Sequence, residues 1–270
     1  MAILTMHIRK KPMAFVAIAA LIGAMAFTTS TPAAIAKTID SRQQQQHPQD
    51  NSLIRWISTA QSTNEYTTFF RTEDCTFNST GRNPFFILEP NYQLTLAGEE
   101  EGERVELTIT VLNETREING TETRVIEERE TSGGELVEVS RNFFAMCEET
   151  NSVFYFGEEV DEYENGAIVG HEGGWLAGEG ANRAGIIMPG TILLGSRYHQ
   201  EIAPNIAMDR AEIINMGQAI QTPSGEFTDT LITQETTPLE PDVVELKYYA
   251  AGIGQIQEED LKLEKYGFIK

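Results

Sequence analysis

The chain has few basic residues, few histidines and only two cysteines, and these shortages narrow the range of functions. Its 270 residues contain 20 Lys and Arg against 41 Asp and Glu, a formal net charge of −21. Such a chain repels nucleic-acid phosphates and anionic headgroups, so both are poor partner candidates. The four histidines show no H-x-x-x-H or H-E-x-x-H spacing. There is also no G-x-S-x-G, P-loop or dinucleotide-binding glycine motif, so the common catalytic signatures are missing.

The sequence has only one long apolar run, and its context is typical of a secretory signal peptide. Met13–Phe27 carries no charge, follows the basic pair Lys10 and Lys11, and precedes the small-x-small sequence Ala34–Ala36. The run of about 15 residues is shorter than the ~20 that span a bilayer. We predict that residues 1–36 are a cleaved signal peptide, with a retained anchor as the alternative. The mature protein is then secreted, extracellular or periplasmic, with no membrane insertion.

The two cysteines, Cys75 and Cys147, are predicted to form a disulfide, because export brings an even pair into an oxidising compartment. A metal site or a nucleophile would need histidine partners, and the sequence places none beside them. The bridge would close a loop of roughly 70 residues, which the chain-entropy model values at roughly 4 kcal/mol.

Residues 37–52 include the tract Gln43–Gln46, which is too polar to bury a core, and we predict a flexible spacer. Within residues 53–71, apolar side chains recur at helical spacing after a candidate N-cap, Ser52. This pattern predicts one short N-terminal helix. We assign residues 53–270 to a single β-rich domain.

From Asn83 onward the pattern favours strands. In Arg104–Val111 apolar and polar residues alternate, which is the period of a strand with one wet face. Asn119-Gly120 is a strong hairpin signal. About eleven short segments of this kind are separated mostly by turn-length connections. We predict an all-β fold, an antiparallel meander curled into a sandwich or an open barrel.

The stretch Phe154–Trp175 concentrates carboxylates, aromatic residues and a histidine. We predict a strand over Ser152–Phe156 and a long loop of about 25 residues after it. Part of it matches the Ca²⁺ loop D-x-[DN]-x-[DN]-G-x₅-E, but Tyr163 occupies position 3 and no flanking helices are predicted. An EF-hand is therefore disfavoured. A Ca²⁺ site of another kind remains a hypothesis, with a solvated acidic loop as the alternative. Its candidate ligands are Glu158, Glu159, Asp161, Asn165 and Glu172.

Three further residues of this stretch are candidate ligand-binding groups: Tyr163, His171 and Trp175. Core packing is an equal alternative for Trp175. His171 and His199 could form a transition-metal site with neighbouring glutamates, since imidazole and carboxylate suit Zn²⁺ or Cu²⁺. Structural, hydrogen-bonded histidines are the alternative.

Three segments carry a resemblance: Asn83–Pro90 (NPFFILEP), Tyr155–Trp175 (YFGEEVDEYENGAIVGHEGGW) and Glu235–Gly254, which opens ETTPLEP and closes KYYAAGIG. In these segments the chain resembles a group of secreted bacterial β-rich proteins of unknown function. The resemblance covers about Asn83 to the C-terminus and departs from the group's pattern at Ile87, Asn91, Gly174 and Ala251. It implies one secreted β domain and transfers no catalytic residue.

The function that we predict is a secreted, non-catalytic β domain that binds a ligand or a protein partner, with Ca²⁺ in the Glu158–Glu172 stretch as one variant. An exported hydrolase using carboxylates and His171 is the first alternative. A structural envelope protein is the second.

Overall fold

The computed structural model describes residues 65–270. The predicted signal peptide, the spacer and positions 53–64 of the predicted helix lie outside the described residues. Residues 65–71 contain no helix, and Thr67 forms an isolated bridge with Tyr198. Within the described residues, no helix has the length and apolar character needed to cross a membrane.

The described chain consists of one 3-10 turn (Thr72–Asp74) and twenty strands. The first ten strands are β1 (Phe77–Asn78), β2 (Gly81–Asn83), β3 (Phe86–Leu88), β4 (Tyr92–Glu100), β5 (Glu103–Ile118), β6 (Thr121–Ser132), β7 (Glu135–Cys147), β8 (Val153–Glu164), β9 (Ala167–Gly170) and β10 (Trp175–Leu176). The others are β11 (Arg183–Met188), β12 (Arg197–His199), β13 (Glu201–Ile202), β14 (Arg210–Met216), β15 (Ile220–Thr222), β16 (Gly225–Phe227), β17 (Thr230–Thr236), β18 (Glu245–Ala250), β19 (Gly254–Glu258) and β20 (Leu261–Phe268). The number exceeds the predicted eleven because many of these strands are only two or three residues long.

Sixteen strands form one sheet built from two meanders. Strands β4 to β8 pair in sequence order, as do β17 to β20, and β20 pairs with β4 to join the two runs. The outermost strands of the path are β12 and β13. Because only Gln200 separates these two strands in the chain, the two edges of the sheet lie together. The sheet is therefore nearly closed into a barrel, which confirms the all-β prediction and selects the barrel over the sandwich.

The apolar core lies inside this curved sheet. The largest fully buried apolar side chains include Leu96, Phe143 and Phe154 from the first meander and Leu231, Ile256 and Leu263 from the second, together with Leu88, Met188 and Ile213 from other strands. The ring of Phe77 makes edge-to-face contacts with Phe154 and Phe156 at centroid distances of 5.3 and 5.2 Å. Such pairs add to the stabilisation that comes from burial alone.

The predicted disulfide is confirmed. Cys75 and Cys147 are bonded, with their Cα atoms 5.1 Å apart and a sequence separation of 72. The bridge fastens the segment before β1 to the last residue of β7. It also fits an oxidising compartment, where such bonds persist.

The predicted strand that ends at Phe156 is present as the start of β8, but the prediction of a long loop after it is wrong. Residues Val153–Glu164 form β8, a tight turn follows at Asn165 and Gly166, and β9 returns against β8. Both turn residues have positive φ, 51° and 76°, as an Asn-Gly hairpin requires. The alternation was concealed because acidic residues occupy both faces of β8. Successive residues of β8 therefore point to opposite faces of the sheet, even though both faces carry acids.

Candidate functional site

A cavity of about 200 Å³ lies inside the barrel. Strands β4 to β8 form one wall and β17 to β20 form the other, with the segments around Gly173, Ile206 and Leu239 at its rim. Among residues 65–270, twelve carboxyl side chains line the cavity, and no Lys or Arg is in this lining set. These carboxyl groups belong to Glu100, Glu128, Glu130, Glu138, Glu158, Glu172, Asp209, Glu235, Glu240, Glu245, Glu258 and Glu259.

The alternation of the strands brings these acids together. On β6, Glu128 and Glu130 line the cavity while the exposed Arg129 between them takes the opposite face. The register then sets acids beside acids: Glu130 lies opposite Glu138, and on the far wall Glu235 lies opposite Glu245. Like charges directly opposite each other destabilise a sheet. The arrangement therefore cannot be explained by the stability of the sheet.

The exposure of the acids falls from the open mouth of the cavity to its buried interior. Glu172, Glu240 and Glu259 are exposed at the mouth, whereas Glu235 and Glu245 are each only 6% exposed. Apolar side chains lie between the acids, and the part of the lining that the structure describes includes no aromatic ring. The apolar contacts are made by Leu107, Val160, Ile206, Ala207, Leu239, Val243 and Leu261.

Burial raises the pKa of many of these carboxyl groups. Loss of hydration is the largest cause throughout, because an apolar surrounding disfavours the charged form. For Glu130 and Glu138 the charges of neighbouring acids raise the pKa further. The pKa is raised to about 8 for Glu138 and Glu245, to about 7 for Glu128, Glu130 and Glu158, and to about 6 for Asp209.

One buried ammonium group lies against this acidic wall. Lys247, on β18, is 7% exposed, and its Nζ lies 3.3 Å from Oε2 of Glu235 and 3.6 Å from Oε1 of Glu258. Burial alone would lower the pKa of Lys247, but the attraction of Glu235 and Glu258 holds it well above its ordinary value. The site therefore already holds a primary ammonium between two carboxylates.

Glu245 has an unsatisfied oxygen at the same wall. Its Oε1 is buried and has no hydrogen-bond partner within the described structure. A buried polar atom without a partner is unfavourable by about 1–3 kcal/mol, and such atoms are rare in native proteins. A donor supplied from outside the chain would remove this penalty.

The structure divides the five predicted metal ligands between two faces of the β8–β9 hairpin. Glu158 and Glu172 line the cavity. Glu159 and Asp161 lie on the opposite face of β8, where Glu159 pairs with Arg116 at 2.5 Å. Asn165 forms the turn. Among residues 65–270, the one set of three Cys, His or acidic ligand atoms within 4.8 Å of one another is Cys75, Cys147 and Glu149, around the disulfide.

The three predicted ligand-binding residues also lie in different parts of the structure. Trp175 is 3% exposed and packs edge-to-face on Tyr155 at 5.3 Å, so it belongs to the core. Tyr163 is half-buried near the end of β8 and does not line the cavity. His171 is exposed, and its Nδ1 lies 2.8 Å from Oδ1 of Asp161.

His199 is buried in another part of the fold. Its ring is 8% exposed, and burial lowers its pKa. The neighbouring Glu201 accepts a hydrogen bond from the backbone N–H of Asp209, and loss of hydration raises its pKa well above the ordinary value. Loss of hydration thus favours the uncharged form of Glu201, whereas a metal ligand must be deprotonated.

Most of the acidic lining was missed from sequence, above all on β6, β7 and β18. The available signal was the recurrence of Glu at every second position, as in Glu128 and Glu130. Two of the three segments singled out in the sequence, Tyr155–Trp175 and Glu235–Gly254, contribute to the cavity walls. No protein-family model, curated protein or solved structure matches this chain. The cavity itself is thus the basis for assigning a function.

Proposed function

We propose that this protein is a secreted, non-catalytic binding domain that holds a small cationic ligand inside the barrel. The observation that carries the proposal is the described cavity lining, in which twelve carboxyl groups gather around one paired ammonium, that of Lys247. The unpartnered Oε1 of Glu245 supports it independently, because a bound donor would satisfy that atom.

The electrostatics of the acidic wall favour a bound cation. Adjacent acids repel one another and their ionised forms are poorly hydrated, so the wall is destabilising at neutral pH without a counter-charge. Groups with strongly raised pKa values cluster at functional sites. A cation would relieve the repulsion and favour the ionised carboxylates, so binding should release protons near pH 7.

The size of the cavity indicates a small ligand. Its volume of about 200 Å³ is below the roughly 300–1,000 Å³ of pockets that enclose drug-sized molecules. The exposed acids at the mouth would attract a cation from solution, and the attraction would weaken as salt is added. Calcium in the β8–β9 hairpin remains a separate hypothesis, and Ca²⁺ is one ligand to be tested.

The hydrolase alternative draws on one observation. Glu158 has a pKa of about 7, which suits a general acid or base at neutral pH. His171, its predicted partner, lies against Asp161 on the other face of β8. The binding proposal is favoured because it uses the whole acidic wall rather than one residue.

The experiment is a thermal-melting titration of the purified protein at about pH 8 with inorganic and organic cations, each compared with NaCl at equal ionic strength. We expect at least one cation to raise the melting temperature well beyond the NaCl control. Glu245→Gln should reduce that rise, and the matched control Glu135→Gln, at an exposed position on β7, should preserve it. The proposal is wrong if no cation exceeds its NaCl control.

A further inference from the structure

The cavity has features that discriminate among cations, and they narrow the proposed function on which this inference rests. Four classes have to be distinguished: divalent metal ions, quaternary ammonium compounds, amino acids or peptides with basic side chains, and simple aliphatic amines. Each class requires a different arrangement of surrounding groups, and the described residues supply the arrangement of one.

A divalent metal requires oxygens that converge on one point. Ca²⁺ takes six to eight oxygen ligands at about 2.3–2.6 Å, which places those oxygens within about 5 Å of each other. No three acids of the cavity wall have carboxylate oxygens within 4.8 Å of one another. The carboxylates are instead distributed along both walls, from Glu130 and Glu138 on one side to Glu245 and Glu258 on the other. A distributed set suits a ligand with separated charges.

Quaternary ammonium compounds are recognised by aromatic cages, since they cannot donate a hydrogen bond. None of the described lining residues is Phe, Tyr or Trp. The unpartnered Oε1 of Glu245 also requires a donor, which a quaternary ammonium lacks. This class does not fit.

A free amino acid or a peptide terminus would bring a carboxylate of its own. Within the cavity that group would meet twelve described acids, and the ammonium of Lys247 is already paired with Glu235 and Glu258. Like charges in a poorly hydrated space repel strongly. The ligand should therefore carry positive charge alone.

A primary ammonium fits the groups that are present. It offers three donors, and Nζ of Lys247 already shows how this wall holds one, between Glu235 and Glu258 at 3.3 and 3.6 Å. The apolar side chains of Leu107, Val160 and Leu261 lie between the acids and can contact methylene groups, as apolar surfaces contact lysine stems.

We propose that the ligand is a small linear aliphatic amine with two or more ammonium groups, of the diamine or polyamine class. One ammonium donates to the free oxygen of Glu245, and another is held by the acids of the opposite wall, among them Glu130 and Glu138. The methylene chain between them lies against the apolar side chains of the cavity.

The test is isothermal titration of the purified protein at about pH 8 with putrescine, spermidine, butylamine, choline, arginine and Ca²⁺, at matched ionic strength. We expect putrescine or spermidine to bind at least tenfold more tightly than butylamine, which has the same apolar chain length as putrescine and one ammonium. Choline and arginine should bind more weakly than the diamine.

Two variants locate the site. Glu245→Gln and Glu138→Gln, on opposite walls, should each weaken diamine binding at least tenfold. Butylamine has one ammonium group and uses only one wall, so one of the two variants should weaken butylamine binding less than it weakens diamine binding. Glu135→Gln should leave both affinities unchanged. Two acids are tested so that a folding defect in one variant leaves the other to decide.

The outcomes separate this inference from the proposed function. If Ca²⁺, choline or arginine binds best, or if putrescine and butylamine bind equally, the amine class is refuted while a cation-binding cavity stands. If no cation binds beyond the effect of ionic strength, both are refuted. Diamine binding that both variants leave unchanged would also refute the inference, because the amine would then lie outside this cavity.

Discussion

Raising the pH should destabilise the ligand-free protein, and Glu245 should account for a defined share of the loss. Burial and neighbouring acids raise the pKa of Glu245 from 4.5 to about 8. The folded protein therefore binds this proton more tightly than the unfolded chain does. The resulting stability is fully present below about pH 4.5 and is lost as the pH rises through about 8.

The magnitude follows from the difference between the two pKa values. At 1.36 kcal/mol per unit, the change for Glu245 corresponds to roughly 5 kcal/mol at most. Water in the cavity and relaxation of nearby side chains reduce the cost of a buried charge. We therefore expect Glu245 to lower the free energy of unfolding by about 2–3 kcal/mol between about pH 5.5 and about pH 9.

The assay is urea unfolding, followed by tryptophan fluorescence, of the wild type, Glu245→Gln and the exposed control Glu135→Gln at several pH values in this range. Gln cannot ionise. As the pH rises, the free energy of unfolding of Glu245→Gln should therefore fall by about 2–3 kcal/mol less than that of the wild type. The control should follow the wild type. If wild type and Glu245→Gln lose stability in parallel, the burial of this carboxylate does not cause the pH dependence.

Three further substitutions test other parts of the structure. Replacing Cys75 and Cys147 by serine should lower the free energy of unfolding by about 2–4 kcal/mol in urea melts, and an unchanged value would contradict the role of the bridge. Lys247→Met leaves buried carboxylates without their counter-ion and should destabilise by about 3–5 kcal/mol at pH 8 but less at pH 5.5; equal losses at both pH values would argue against this cause. Gly157→Ala should destabilise by about 1–3 kcal/mol, because a Cβ there would lie 2.4 Å from the backbone oxygen of Trp175; a neutral result would contradict this close packing.

The periodicity of the chain was sufficient to predict the fold class. Alternation in segments such as Arg104–Val111 and the Asn119-Gly120 turn are local features, so they remain readable without knowledge of the partners. The disulfide was predictable because Cys75 and Cys147 are the only two cysteines. The choice between a sandwich and a barrel could not be predicted from the sequence, because it depends on how close the edge strands β12 and β13 lie in the fold.

The stretch around Glu158 shows where local inference failed. Its many acids predict a loop with one binding centre, because charged residues are usually solvated. In the fold, adjacent acids such as Glu158 and Glu159 lie on opposite faces of one strand. The stretch contributes part of the site, but the larger part comes from strands far away in the sequence.

The sequence by itself therefore determined the class of structure, the disulfide and the acidic character of the protein, all of which depend on composition and short-range periodicity. Only the tertiary structure decided that acids from β6, β7, β17 and β18 share one cavity with Lys247 at its wall. The physical reason is that closure of the barrel brings together strands that lie far apart in the sequence, such as β6 and β18. No local pattern encodes which of their faces will meet.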